Sequence, residues 1–267
     1  MVDQIPNLGR ESEMLEAIGL TSIEDLFSNI PEEVRRVEQL PLPSPQSEEQ
    51  ILADAQRILG ANVDLDSRPS FISAGLSRNF VPAMVPMMAT RGEFLTSYTP
   101  YQPEVSQGML QAMWEFQTMI SELVGLPIAN VSMYDASTSA AEAITCAVRV
   151  KSKSVERPGA VYISDLVPPH RLSVIENYTQ GVGISIHKLP HNPDGSLNLE
   201  AAKGAAGSCA VYVEQPNSLG GLDSGLLAIR ESIGESTALI VGVDVVSLGI
   251  VEPPGRWGAD IVVGEGQ

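Results

Sequence analysis

Residues 209–213 read CAVYV, a run with no charged side chain and no strict apolar–polar alternation. A strand with one wet face alternates apolar and polar residues. A strand buried on both faces need not, and that texture belongs to parallel sheets covered by helices. The same texture recurs at AVYI (160–163), ALIVGVDVV (238–246) and ADIVVG (259–264), with VSMY (131–134) and ISIHKL (184–189) as further strand candidates. Helical patterns lie between them, STSAAEAITCAVRV at 137–150 and PPHRLSVIENYTQ at 168–180. Strands alternating with helices predict an α/β fold with a mostly parallel sheet flanked by helices.

Upstream the texture changes. RESEMLEAIG (10–19) and TSIEDLFSNI (21–30) are short amphipathic segments, and LPLPSPQ (40–46) breaks the chain. Ser47 and Gln50, three apart, predict a capping box opening SEEQILADAQRIL. The reading is an N-terminal helical arm over 1–70 and a large domain over 71–267. Apolar residues at Met109, Met113, Phe116, Ile120 and Leu123 mark one stripe of a longer helix that stops near Gly125 and Pro127. The chain ends in ADIVVGEGQ, a strand and a polar turn. Doubly wound domains rarely stop there, so a fold completed by further chain is expected.

The net charge of −17, from 33 acidic against 16 basic residues, repels polyanions, so neither nucleic acid nor an anionic membrane is an expected partner. The acidity reads as a solvated surface. Cys146 and Cys209 sit in apolar runs and read as buried thiols, and three histidines do not make a metal cluster. The N-terminus lacks the basic and apolar regions of a secretory signal, and no apolar stretch is long enough to span a bilayer. The expected location is the cytoplasm.

Four places are candidates for chemistry. MYDASTSAAEA (133–143) is a strand–turn–helix pattern in which Ser137, Thr138 and Ser139 open the helix. Free N–H groups and the helix dipole there suit a phosphate, whereas a plain Asp135 or Ser137 cap explains the same residues. GxGxxG and GKS/T motifs are absent. Asp244 is a carboxylate within a core-strand pattern, costly unless it works or is paired. At the strand's C-terminal end it would face the crevice where α/β sheets bind ligands, or merely tie a loop. EQPNSLGG (214–221) is a turn-rich connection that could line the same crevice.

The fourth place is YTPYQPE (98–104). Each proline pushes its predecessor towards extended backbone, so Thr99 and Gln102 are extended and a helix begins no earlier than Pro103. Pro103 and Glu104 make a good first helical turn. Tyr98 and Tyr101 are thus held on a stiff loop, which has little entropy to lose on engaging a site or a partner. Packing of both rings onto the chain's own core is the competing reading.

From Phe94 through YTPYQPEVSQG to MYDASTSAAEA at 133–143, the sequence resembles the first subunits of the split glycine cleavage system P-protein. IPNLGRESEMLEAIGLTSIEDLFSNIPEEVR, VSLGIVEPPGRWGAD and ADIVVGEGQ extend the resemblance over the whole chain. It implies a type I pyridoxal-phosphate (PLP) transferase-like fold and a heterotetramer of unlike subunits, with PLP on the second. It implies decarboxylation of glycine and transfer of the aminomethyl group to the lipoyl H-protein. In that setting Tyr98, Tyr101, Gln102 and Glu104 would face the partner's active site. Ser137, Thr138, Ser139 and Asp244 would correspond to cofactor-binding positions. Yet all four lysines, Lys151, Lys153, Lys188 and Lys203, precede Asp244, and Gln267 stands near where the cofactor lysine is looked for.

The chain departs from the family pattern at several loops. Arg78-Asn79 replaces an acidic–histidine pair, MYDAST lacks a glycine after the aspartate, DLVPPHR lacks a histidine before its first proline, and EQPNSLG lacks a tyrosine. These departures keep open a second reading, a diverged or truncated non-catalytic paralogue that only binds a partner subunit.

Overall fold

The computed structural model describes residues 6–35, 40–71, 78–95 and 98–266. The chain divides into two compact units, Met1–Ser70 and Phe71–Gln267. Gln267 lies outside the described residues.

In the first unit, α1 spans Glu11–Ala17 and α2 spans Glu48–Leu59, with 3-10 turns at Glu24–Phe27 and Glu32–Val34. The capping box of α2 forms as its sequence predicts: Ser47 accepts from the Gln50 N–H, and the Gln50 side chain accepts from the Ser47 N–H. TSIEDLFSNI, read as a helix, yields only the four-residue 3-10 turn. None of these elements buries a residue.

The second unit opens with two short helices, α3 (Met84–Ala89) and α4 (Gly92–Leu95), then a 3-10 turn at Pro103–Val105 and the long helix α5 (Gln107–Val124). Ser106, at φ −114°, interrupts the path, so Pro103 starts a separate turn and not α5 itself. α5 ends on Gly125 in the left-handed region at φ +72°, where a side chain would strain the backbone. Gly255 presses its backbone against the Gly125 carbonyl, leaving no room for a Cβ.

Next come α6 (Ala136–Lys151), β1 (Arg157–Ser164), α7 (Pro169–Thr179), β2 (Ser185–Leu189), α8 (Leu199–Lys203), β3 (Ser208–Gln215), α9 (Ile229–Ile233), β4 (Ala238–Asp244) and β5 (Ile261–Glu265). The five strands form one sheet in the order β2-β1-β3-β4-β5, every pair parallel. The chain steps outward from β1 to β2, then crosses back over β1 to β3. The order therefore reverses between β1 and β3, where α/β sheets open a crevice at the strands' C-terminal ends.

Both faces of the sheet are covered. Ile144 of α6 and Ile175 of α7 join Val161, Tyr212 and Ile240 in one core. Ala202 of α8 and Ile229 and Ile233 of α9 join Val211, Val213 and Leu239 in the other. That is why CAVYV shows no apolar–polar alternation: from Ala210 to Val213 successive residues of β3 enter opposite cores, and both are apolar. VSMY, read as a strand, is irregular, and its Tyr134 is 99% exposed. Cys209 is buried as expected, but Cys146 points outward from α6 and is exposed. Among the described residues no helix is long and apolar enough to cross a membrane.

Candidate functional site

The C-terminal ends of β3, β4 and β5 meet the N-terminus of α6. Asp135 is the N-cap of that helix. Its carboxylate accepts from the Thr138 N–H at 2.7 Å, and Thr138 Oγ1 closes a capping box by accepting from the Asp135 N–H at 3.1 Å. The Thr138 N–H, ahead of the Ser137 N–H and the Arg171 charge, holds the Asp135 carboxyl below its ordinary value against the cost of desolvation. Ser139 Oγ donates to the Asp135 carbonyl at 2.6 Å. The first helical donor, the Ala136 N–H, goes to a residue 129 positions away: Glu265, the last of β5, accepts it through Oε1 at 2.9 Å.

Two of the first three N–H groups of α6, those of Ala136 and Thr138, are therefore engaged by two carboxylates of the same chain. Ser137 and Ser139 are buried, and the Thr138 hydroxyl is spent on Asp135. Asp244 is the exposed last residue of β4, beside Glu265 in the strand register. Its Oδ1 accepts from the Val246 N–H at 3.0 Å and its carbonyl from the Ser247 hydroxyl at 2.7 Å, so it ties the following turn. Asp244 thus sits at the crevice edge and escapes the burial cost that its apolar neighbours suggested.

Lysine is absent from this edge. Lys151 closes the far end of α6, about 24 Å of helix away from Ala136, and Lys153 lies beyond it. Lys188 is on β2, three strands from β4. Lys203 ends α8 and pairs with Glu200. A pyridoxal phosphate therefore does not fit the residues present. Its phosphate would meet two carboxylates where it needs free donors, and no lysine of the chain stands at the strand ends described.

Beneath the edge lies a polar group that sequence reading missed. Arg171 Nη1 of α7 donates to Glu214 Oε1 of β3 at 2.6 Å, and the Tyr212 hydroxyl donates to the same oxygen at 2.9 Å. The Arg171 side chain is 15% exposed and that of Glu214 7%. Burial pulls the Arg171 guanidinium down, and the Glu214 charge and its hydrogen bond outweigh it, leaving its pKa raised. Burial first, then the Glu214 charge, push the Tyr212 hydroxyl well above its ordinary value of 10.0, so it stays a neutral donor. Gly242 on β4 makes room, since a Cβ there would sit 2.6 Å from the Tyr212 oxygen. The available signal was Glu214 itself, an acid directly following the apolar run CAVYV.

The proline loop presents its rings outward. Tyr98 is 91% exposed and Tyr101 81%, so neither packs on the chain's own core. Gln102 is extended at φ −110°, ψ 90°. Glu104 lies in the 3-10 turn, and its carbonyl accepts from Gln107 Nε2 at 3.2 Å, linking the loop to α5. The described geometry does not bring this loop together with Ser137–Ser139 or Asp244.

Two further features lie on the β1–β2 side. His191 Nδ1 is 2.8 Å from Asp165 Oδ1, a pair between the ends of β2 and β1 that the sequence left scattered. A cavity of about 450 Å³ is lined by Asn192, Asp194, Asn198 and Asp223 among others. Its carboxylates serve local turns: Asp194 accepts from the Ser196 N–H, and Asp223 from the Leu197 and Gly225 N–H groups. Among the described residues no cluster fit for a metal ion forms.

Known proteins place this arrangement. The family model "Glycine cleavage system P-protein" matches residues 5–267. A probable glycine dehydrogenase (decarboxylating) subunit 1 of Thermococcus onnurineus is 44% identical over 263 residues, covering 98% of this chain and 57% of that protein. The protein of the same description in Pyrococcus abyssi is 45% identical over 266 residues, covering 98% and 58%. A crystal structure of glycine decarboxylase (P-protein) of the glycine cleavage system, in inhibitor-bound form, superposes with a TM-score of 0.83 at 40% identity, covering 99% of this chain and 58% of that one. Mouse CSAD superposes at a TM-score of 0.56 with 16% identity, over 85% of this chain and 49% of that one, a likeness of fold alone. The chain spans somewhat over half the length of the curated relatives it matches. Its fold is the type I PLP-transferase-like sheet that the resemblance implied.

Proposed function

The chain belongs to the glycine cleavage system P-protein family, and from that premise we propose that it acts as the first subunit of a glycine dehydrogenase (decarboxylating). The observation that carries the reading is identity of 44–45% to first-subunit proteins over 98% of this chain. On this reading glycine is the substrate, a second subunit holds the cofactor, and the lipoyl H-protein receives the aminomethyl group. PLP bound on that partner supplies an electron sink for the carbon that loses carbon dioxide.

This chain's own part is positional. The loop at Tyr98–Glu104 offers two exposed rings on a backbone restrained by Pro100 and Pro103. At the subunit interface Tyr98 and Tyr101 wall the partner's site and donate hydrogen bonds towards the glycine carboxylate. Gln102 adds a polar contact, and Glu104 holds the loop onto α5. The closed N-terminus of α6 and the absence of lysine from the strand ends support a cofactor housed elsewhere.

The test is reconstitution with a lysine-bearing second subunit and H-protein, followed by glycine–bicarbonate exchange. Exchange should need all three proteins, and the Tyr98→Phe/Tyr101→Phe pair should lower it at least tenfold without loss of complex. Unchanged exchange in that double variant overturns the role given to the loop. A complex that forms but never exchanges replaces the reading with the non-catalytic partner-binding subunit.

A further inference from the structure

We propose that Glu265 is a built-in anion that closes the N-terminus of α6 against phosphate, so that this chain's own sheet edge refuses a phosphorylated cofactor. The proposal deepens the reading of a cofactor-free subunit but rests on geometry of its own.

The N-terminus of a sixteen-residue helix offers unpaired N–H groups and a partial positive charge, and a phosphate there would be favourable. Here two of the first three donors, at Ala136 and Thr138, are already taken. Asp135 holds the Thr138 N–H, and its pKa is lowered by the Ser137 N–H as well. A capping aspartate is commonplace and leaves the first donor open. Glu265 takes that donor from another element altogether, at 2.9 Å from the Ala136 nitrogen.

Its position is fixed from both sides. Val263 of β5 packs against the core that holds Ala140 and Ile144 of α6, and the strand register sets Glu265 beside Asp244. Ala136 is buried, so the carboxylate reaches a donor shielded from solvent. A phosphate entering here has to displace an acceptor that never leaves by diffusion. It also has to approach Asp135, Asp244 and Glu265 together. Repulsion between like charges a few ångströms apart is strong where solvent is limited. Arg171, the cation whose charge reaches Asp135, is committed to Glu214.

Removing the carboxylate should therefore create an anion site where none is open. The probe is inorganic phosphate added to the isolated full-length chain, at ionic strength matched with chloride. The readout is the amide resonances of Ala136, Ser137 and Thr138 together with the thermal midpoint. In the native chain neither should respond. Glu265→Ala should shift those amides and bind phosphate at least tenfold more tightly than the native chain. Should Glu265→Ala fail to fold, Glu265→Gln keeps the acceptor and its shape while dropping the charge, and it should gain a smaller but saturable response at the same amides. Saturable phosphate shifts at these amides in the native chain overturn the proposal, as does a folded variant no more responsive than the native chain. No partner subunit enters the measurement, so its outcome is independent of the exchange assay.

Discussion

Glu214→Ala should be among the most damaging single substitutions in this chain. The carboxylate accepts from both Arg171 and Tyr212, and the three side chains sit between α7 and the end of β3. Its loss leaves a guanidinium that is only 15% exposed without its counter-ion. It also leaves the fully buried Tyr212 hydroxyl without its acceptor. Breaking a buried pair from one side costs about 3–5 kcal/mol, because the surviving charge stays desolvated. An orphaned hydroxyl costs roughly 1–3 kcal/mol by itself, but the two penalties share one oxygen and do not add. A loss of about 3–5 kcal/mol overall is expected, or roughly 6–20 °C in melting temperature at about 2–4 °C per kcal/mol for a unit of this size. Glu214→Gln keeps an acceptor and should fall about halfway. The triple variant Arg171→Met/Tyr212→Phe/Glu214→Leu removes every buried polar atom of the group and should return to within about 2 kcal/mol of the native chain. Denaturant midpoints read all three. A Glu214→Ala loss under about 1 kcal/mol, or a triple variant as unstable as the single one, refutes the claim that desolvated charge sets the cost.

Two further outcomes follow from the same geometry. Asp135 has a folded-state pKa below its ordinary value of 3.8, so its contribution is complete above that value and is lost as pH falls through the folded pKa. Asp135→Asn should keep most of the cap and flatten the stability profile below about pH 4, while Asp135→Ala should cost about 1 kcal/mol at neutral pH, both read by denaturation at stepped pH. Gly255→Ala places a methyl into the Gly125 carbonyl, where backbone on both sides leaves nothing flexible to yield, and should cost about 1–3 kcal/mol in thermal unfolding.

What the sequence revealed and what it hid divide along a physical line. Periodicity reports burial, so CAVYV and ALIVGVDVV announced β3 and β4 and the two-sided core before any coordinates. Local chemistry reports local contacts, so the Ser47–Gln50 box and the end of α5 at Gly125 were legible from residues three or four apart. VSMY misled because it is short and apolar enough for a strand, but it has no partner strand, and its Tyr134 faces solvent. Cys146 misled because the surrounding helix is apolar on one side only. The functional geometry was hidden because its partners are distant in sequence. Nothing near Arg171 points to Glu214, and nothing near Ala136 points to Glu265. Ser137–Ser139 looked like an anion seat because the residues that fill it come from the N-cap and from another strand.

The bond from Ala136 to Glu265 also sets an order of events during synthesis. α6 is made before any strand of the sheet, and its first donor waits for a residue 129 positions later. At about 5–20 residues per second the ribosome needs roughly 6–26 seconds to supply that residue. Throughout this interval the helix can form and pack against β1 and β3, but its entrance stays open to whatever anion the surroundings offer. On the proposal above, the nascent chain thus carries for that interval an open donor that the finished molecule closes with its own carboxylate.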